Sequence, residues 1–159
     1  MRLERLRWWH IEDLLPIERE VFGAEAWSPA MFWSELAAGH HYLVVLDGGA
    51  AVGSSGDEGA SGESVAAYGG LSSSGEDAWI NNIAVVPGYR RRGLGRLLVE
   101  ALLAEAARRE ARRVALEVAV DNGPAQRLYD AYGFKQIGLR RGYYQSTGTD
   151  ALVMIKELS

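Results

Sequence analysis

The stretch that most constrains this chain is Ile83-Ala84-Val85-Val86-Pro87-Gly88-Tyr89-Arg90-Arg91-Arg92-Gly93-Leu94-Gly95-Arg96-Leu97-Leu98. An apolar strand pattern stops at Pro87-Gly88, and a turn rich in arginine and glycine follows. Leu94, Leu97, Leu98, Ala101, Leu102 and Ala106 then recur at helical spacing. A helix N-terminus offers unpaired N–H groups and about half a positive charge, and glycine lets anionic oxygens approach the main chain closely. The segment therefore reads as a phosphate cradle. A turn that exposes arginines only for solubility is the other reading of the same residues, but strand, turn and helix fall in the order a cradle requires. The segment is not a P-loop, because Leu94 and Gly95 follow Gly93 where Lys and Ser or Thr are needed. Nor is it a dinucleotide fingerprint, which needs a third glycine where Leu98 stands.

The rest of the chain alternates strand and helix patterns around this segment. Residues 1–8 read as an edge strand, and residues 10–22 as a helix with Glu12 and Asp13 in its first turn, although Pro16 argues against so early a start. Ser28 and Pro29 are N-cap and first residue of a second helix that carries Met31, Phe32 and Leu36. Strands are expected at 42–46, 65–68, 78–86 and 113–120. Helices are expected at 94–109 and 123–132, the second capped by Asn122 and stopped by Gly133. Residues 134–141 and 151–157 read as a closing strand pair. The order β-α-α-β-β-β-α-β-α-β-β predicts an α/β (α+β) domain, one mixed, mostly antiparallel sheet with helices on both faces. Residues 47–64 contain six Gly, four Ser and a single large apolar residue, Val52, and read as a flexible hairpin loop within a single domain spanning 1–159.

Length and composition agree with one domain. The 159 residues are 48% apolar and can form a core without disulfide or metal support. There is no cysteine, which excludes a disulfide framework, a thiolate zinc site and a catalytic thiol, and suits a reducing cytoplasm. The amino-terminal residues alternate charge with leucine and carry no apolar signal segment, so a soluble, unexported, cytoplasmic protein is expected. The net charge of -4 is unevenly spread: residues 20–89 hold nine acidic side chains and no Lys or Arg, whereas residues 90–159 hold thirteen basic and eight acidic. An acidic half beside a basic half fits a protein that holds a polyanion and a cation, and equally fits a solvated surface with no partner.

Arg90-x-x-Gly93-x-Gly95, placed after the strand Asn82-Ile83-Ala84-Val85, resembles the acetyl-coenzyme A motif of the GNAT superfamily of N-acetyltransferases. Within it the chain is most similar to the RimI-type ribosomal-protein-alanine N-acetyltransferases. That likeness rests on Trp27-Ser28, Ala115-Leu116-Glu117-Val118, Asn122-x-x-Ala125-x-x-Leu128-Tyr129-x-x-x-Gly133-Phe134, and Arg140-Arg141-x-Tyr143-Tyr144. The resemblance implies a GNAT fold and acetyl-coenzyme A as cosubstrate. It implies that Ile83, Ala84 and Val85 run along the pantetheine arm, that Arg90, Arg91, Arg92, Gly93, Leu94, Gly95 and Arg96 form the pyrophosphate site, and that Asn122 contacts the coenzyme. It implies a protein or peptide N-terminus as acceptor, an alanine on a ribosomal protein. The 47–64 insertion is longer than the family pattern leads one to expect, which bears on substrate access.

Acetyl transfer from a thioester to an amine needs a neutral amine, a stabilised oxyanion and a proton for the departing thiolate. Without cysteine, direct attack is the simplest scheme. Glu117 interrupts the strand pattern on the small-residue face, opposite Leu116 and Val118, and a carboxylate there is costly without a partner or a purpose. It is the candidate proton acceptor, as the resemblance also implies; a Glu facing water on an edge strand is the alternative. Tyr129 lies seven residues past Asn122, two helical turns on. By spacing alone it reads as a core aromatic beside Leu128 and Tyr132, and the resemblance makes it the proton donor. An N–H near Val85 would meet the oxyanion. Tyr143 and Tyr144, on the connection between the last strands, resemble the family's peptide-gripping pair or else close the sheet, and Trp27 would complete that wall.

Other chemistries find less support. His40 and His41 are adjacent on an expected strand and point to opposite faces, so they cannot share a metal, and no metal is expected. No G-x-S-x-G is present. Arg108, Arg109, Arg112 and Arg113 are interspersed with Glu105 and Glu110 and read as a solvated helix end rather than a nucleic-acid patch. The expected protein is a monomeric enzyme with no nucleic-acid or membrane partner. The alternatives are an acetyltransferase of a small amine, a lysine or another N-terminus, and a coenzyme-binding module without turnover.

Overall fold

The structure is a computed structural model that describes residues 1–48, 63–144 and 148–158. The elements run β1 (Arg2–Arg5), α1 (Ile11–Phe22), α2 (Pro29–Ala37), β2 (His41–Asp47), β3 (Ser64–Ser74), β4 (Asp77–Val85), α3 (Leu94–Arg108), β5 (Arg113–Ala119), α4 (Gly123–Ala131), β6 (Lys135–Tyr144) and β7 (Thr149–Glu157). The strands form one seven-stranded sheet in the order β1-β2-β3-β4-β5-β7-β6. β4 and β5 run parallel, as the α3 crossover between them requires. The pairs β1–β2, β5–β7 and β6–β7 are antiparallel. The predicted element order and the mixed sheet are both found. No helix among the described residues is long and apolar enough to cross a membrane.

Several boundaries differ from the sequence reading. The first strand ends at Arg5, and Trp8–His10 forms a 3-10 turn instead of continuing it. Pro16 sits inside α1 without delaying its start, because Ile11, Leu14 and Ile17 bury one stripe that holds the first turns in place. Pro16 is itself exposed, so water can meet the carbonyl its missing N–H leaves unpaired. β3 continues to Ser74, and β6 extends to Tyr144, so Tyr143 and Tyr144 stand at a strand end rather than on a connection. His40 precedes β2, so the two histidines are not strand neighbours. The heart of the expected Gly/Ser loop, residues 49–62, lies outside the described residues.

The chain divides into two compact units, Met1–Gly70 with Asn82–Leu98, and Leu71–Asn81 with Val99–Ser159. In the first, Leu6, Ile11, Leu14, Phe32, Tyr42, Val44, Tyr68 and Ala84 belong to one buried cluster. A Cβ on Gly70 would lie 2.2 Å from the Tyr42 ring, so only glycine lets β3 pass that close to the phenol. In the second unit, Val114, Leu116 and Val118 of β5 are buried, as are Leu102 of α3, Met154 of β7 and Phe134 after α4.

Candidate functional site

In the first unit, the strand that carries Ile83, Ala84 and Val85 is irregular just before them. Asn82 has φ 56°, a left-handed conformation uncommon for a non-glycine residue. The parallel register of β4 with β5 ends at Trp79↔Ala115, and residues 83–85 lie past that end. Ala84 is buried and Ile83 and Val85 are half-buried. Val86 N–H then donates to Ala66 C=O at 2.9 Å, and Pro87–Tyr89 forms a 3-10 turn. The Tyr89 hydroxyl donates to Asp47 Oδ2 at 2.8 Å, and the Arg92 guanidinium stands 5.1 Å from the Tyr89 ring centroid. These two contacts fix the base of the turn.

The turn itself faces outward. Arg90, Arg91, Arg92, Gly93 and Arg96 are exposed and Gly95 is half-buried, while Leu94 is 5% exposed and anchors the first residue of α3. Arg91 has φ 65° and Gly93 φ 79°, and turns of this kind can aim successive N–H groups to one side. A Cβ built on Gly93 would meet nothing within 4 Å, so the space beside that main chain is open. Open main-chain N–H groups at a helix start, four arginines and no side chain in the way fit the phosphates of acetyl-coenzyme A.

Trp27, also in the first unit, is half-buried. Its ring packs against Phe32 and Tyr42 at centroid distances of 5.2 and 6.3 Å, and the Trp27 main-chain N–H donates to Glu18 Oε2 at 2.9 Å. Much of the ring thus serves the core, and its remaining surface is what a substrate wall could use.

In the second unit, β5 alternates as its sequence predicts: Val114, Leu116 and Val118 are buried, and Ala115, Glu117 and Ala119 are half-buried on the other face. β5 lies between β4 and β7 in the sheet. Glu117 pairs with Val153 of β7, and the β4 register ends two residues before it, at Ala115. Its carboxylate is held from β6. Arg140 Nη1 donates to Glu117 Oε1 at 2.5 Å, with side-chain exposures of 56% and 26%. The Tyr143 phenol also hydrogen-bonds Glu117, and that bond, followed by burial, pushes its pKa up to about 12. The Arg140 guanidinium lies 4.8 Å from the Tyr143 ring centroid, and the Tyr143 and Tyr144 rings meet edge-on at 5.1 Å.

Tyr129 on α4 is 8% exposed and packs edge-on against Phe134 at 5.8 Å. Burial, with a smaller contribution from Tyr144, pushes its phenol up to about 12. Asn122 caps α4, its Oδ1 accepting from Ala125 N–H at 3.2 Å. Gln126 Nε2 donates to the carbonyls of Ala119 and Val120, each at 2.9 Å, and so ties the end of β5 to α4.

The structure thus gathers Glu117, Tyr143 and Tyr144 with Arg140, and carries the segment expected to bind coenzyme, with Trp27, in the other unit. Two participants escaped the sequence reading. Arg140 reaches Glu117 because the register sets Glu117 opposite Val153, and Arg140 opposite Ala151, across three strands. Nothing local in the sequence encodes that diagonal. Glu18 is wholly buried, and a signal existed, since it falls four residues after Leu14 and seven after Ile11 on the buried stripe of α1. Among the described residues no group of three or more His, Cys, Asp or Glu could hold a metal ion.

The chain is similar to known proteins in sequence and fold. A Bacillus subtilis protein is 35% identical over 97% of this chain and 90% of its own length. The N-alpha-acetyltransferase RimI of Mycobacterium tuberculosis is 37% identical over 89% of this chain and 82% of its own. The crystal structure of the ribosomal-protein-S18-alanine N-acetyltransferase from Escherichia coli superposes with a TM-score of 0.79 at 29% identity, covering 99% of this chain and 94% of that one. The family model of the acetyltransferase (GNAT) family matches residues 3–134. With an open glycine-arginine turn at the start of α3 and a carboxylate on the half-buried face of β5, the chain belongs to the acetyltransferase (GNAT) family.

Proposed function

We propose that the protein is an N-alpha-acetyltransferase that moves the acetyl group of acetyl-coenzyme A to the α-amine at the N-terminus of a ribosomal protein, with alanine as the first residue. The observation that carries this reading is Glu117, a carboxylate on the open face of a central strand, in a chain 37% identical to an N-alpha-acetyltransferase. The reading extends to one acetyltransferase domain over residues 1–159, monomeric and cytoplasmic, which binds neither nucleic acid nor membrane. The lack of cysteine supports the reducing compartment.

The main chain of residues 91–96, with Arg90, holds the pyrophosphate. Ile83, Ala84 and Val85 offer strand main chain to the pantetheine arm, and Asn122 contacts the coenzyme. The neutral amine attacks the thioester carbonyl: a C–N bond forms, the C–S bond breaks, and Glu117 takes the amine proton through a water. The Val85 N–H stabilises the oxyanion. Tyr143, Tyr144 and Trp27 grip the peptide.

The raised pKa of Tyr129 refines its role. Burial pushes its phenol up to about 12 and so keeps it protonated. Tyr129 therefore acts as a hydrogen-bond donor to the departing sulfur, remaining protonated at neutral pH. Acceptor choice follows from acidity as well. At pH 7 an α-amine is on the order of 10% neutral and a lysine under about 0.1%, so a carboxylate and a water suffice for the first and not for the second.

The test is thiol release from acetyl-coenzyme A with peptides that begin with Ala, Ser or Met. Fastest release with Ala is expected. Preference for free lysine or a small amine would redirect the reading to another acceptor class, and no release with any amine would leave a coenzyme-binding module.

A further inference from the structure

One buried charged side chain takes no part in the chemistry above. Glu18 of α1 is completely excluded from solvent, and three donors from three different segments converge on it. The Tyr68 hydroxyl of β3 and the Asn82 Nδ2 of β4 each donate to Oε1 at 2.6 Å, and the Trp27 N–H donates to Oε2 at 2.9 Å. Tyr68 is itself fully buried, and burial, reinforced by Glu18, pushes its phenol above its ordinary value. It therefore stays a donor at any physiological pH.

If α1 needed only packing here, leucine would continue its stripe without the desolvation cost of a carboxylate. A carboxylate does what leucine cannot: its two oxygens draw separate pieces of backbone to one point. Asn82 is one of them. Its φ of 56° is unfavourable for a residue with a Cβ, and the hydrogen bond to Glu18 holds it there, immediately before Ile83–Val85. Trp27 is the other, tied through its main chain immediately before Ser28, the cap of α2.

We infer that Glu18 is a positioning residue that sets both the coenzyme strand, through Asn82, and the substrate wall, through Trp27. This rests on the roles proposed above for residues 83–85 and Trp27. Both ties lie within one compact unit; the Asn82 tie runs through a side chain and can be cut alone, whereas the Trp27 tie, made by main chain, is cut only at Glu18.

The experiment measures coenzyme A affinity by calorimetry and the KM for an Ala-starting peptide. The variants are Asn82→Ala, Asn82→Gly, Glu18→Met, and Glu18→Met with Asn82→Gly. Asn82→Ala, which loses the tie and keeps the Cβ, is expected to weaken coenzyme binding about tenfold with peptide KM unchanged. Asn82→Gly, free to adopt positive φ, binds coenzyme like the parent. Glu18→Met raises peptide KM and weakens coenzyme binding, each about tenfold, and adding Asn82→Gly restores coenzyme affinity while KM stays raised. A merely structural Glu18 would lower the melting temperature and show no selective rescue. Should Glu18→Met fail to fold, the two Asn82 variants decide alone. Equal coenzyme affinity in Asn82→Ala and Asn82→Gly, or a double variant no better than Glu18→Met, overturns the inference. Absence of coenzyme binding by the unaltered protein overturns the functional reading first, and this one with it.

Discussion

Arg140 donates to Glu117 at 2.5 Å while its guanidinium lies against the Tyr143 ring, so one cation from β6 is shared between a carboxylate and an aromatic face. The pair is open to solvent on the arginine side, and an exposed ion pair adds little to stability. Its consequence is aim: the carboxylate is held to one rotamer on the open face of β5.

Glu117→Gln should lower kcat about 10²–10⁴-fold at neutral pH, with coenzyme affinity unchanged. Arg140→Ala should leave the melting temperature within about 2–4 °C and lower kcat about tenfold, because the carboxylate loses its orientation. Combined with Glu117→Gln it should cost nothing more. Steady-state kinetics of the three variants check this, and full activity in Glu117→Gln would remove the residue as proton acceptor.

Tyr129→Phe should lower kcat about 10²-fold, the usual effect of losing one donor to developing negative charge. Because burial pushes its phenol up to about 12, ionisation of Tyr129 should not reduce kcat below about pH 11. The sign for stability follows from the same shift. With the folded pKa above the unfolded value of about 10, the contribution is complete below pH 10 and is lost as pH rises towards 12. Alkaline melting curves of the parent and Tyr129→Phe should diverge only in that window.

Gly93→Ala forces a Cβ onto a residue at φ 79°, a strain of about 1–2 kcal/mol, beside space that no protein atom fills. Gly95→Val places a branched side chain in the first turn of α3, where phosphate must approach. Both should weaken coenzyme binding, Gly95→Val beyond calorimetric detection. Gly133→Ala is the control: at φ 88° it should cost similar stability and leave coenzyme affinity intact. Normal affinity in Gly95→Val would refute the cradle.

His10 is 6% exposed, and burial, only partly countered by Glu4, holds its pKa below the ordinary histidine value. Its Nδ1 accepts the Arg7 N–H at 2.8 Å, which requires the neutral ring. A depressed folded pKa means the unfolded chain binds the proton first. Stability is therefore complete above about pH 6.5 and falls as pH drops through the lower folded value. In urea titrations from pH 7 to 5, His10→Gln should flatten that decline relative to the parent, and parallel slopes would contradict it.

Local patterns in the chain already contained its strands, its helices and the glycine-arginine turn, because period, caps and turn chemistry act within a few residues. Ser28 and Asn122 cap the helices expected of them, and Glu117 falls on the half-buried face that its alternation predicts. The lengths of β1, β3 and β6 were not legible, since pairing with neighbours, not propensity, decides where a strand stops. The company each charge keeps was equally hidden. That Arg140 reaches Glu117 across three strands, and that Glu18 gathers Tyr68, Asn82 and Trp27, depends on register and on contacts between residues as many as 64 positions apart. The sequence by itself determined which groups could bind an anion and accept a proton, because those are properties of residue type and local backbone. Only the tertiary structure decided how each group is held and how strongly it keeps its proton, because burial and partners come from elsewhere in the chain.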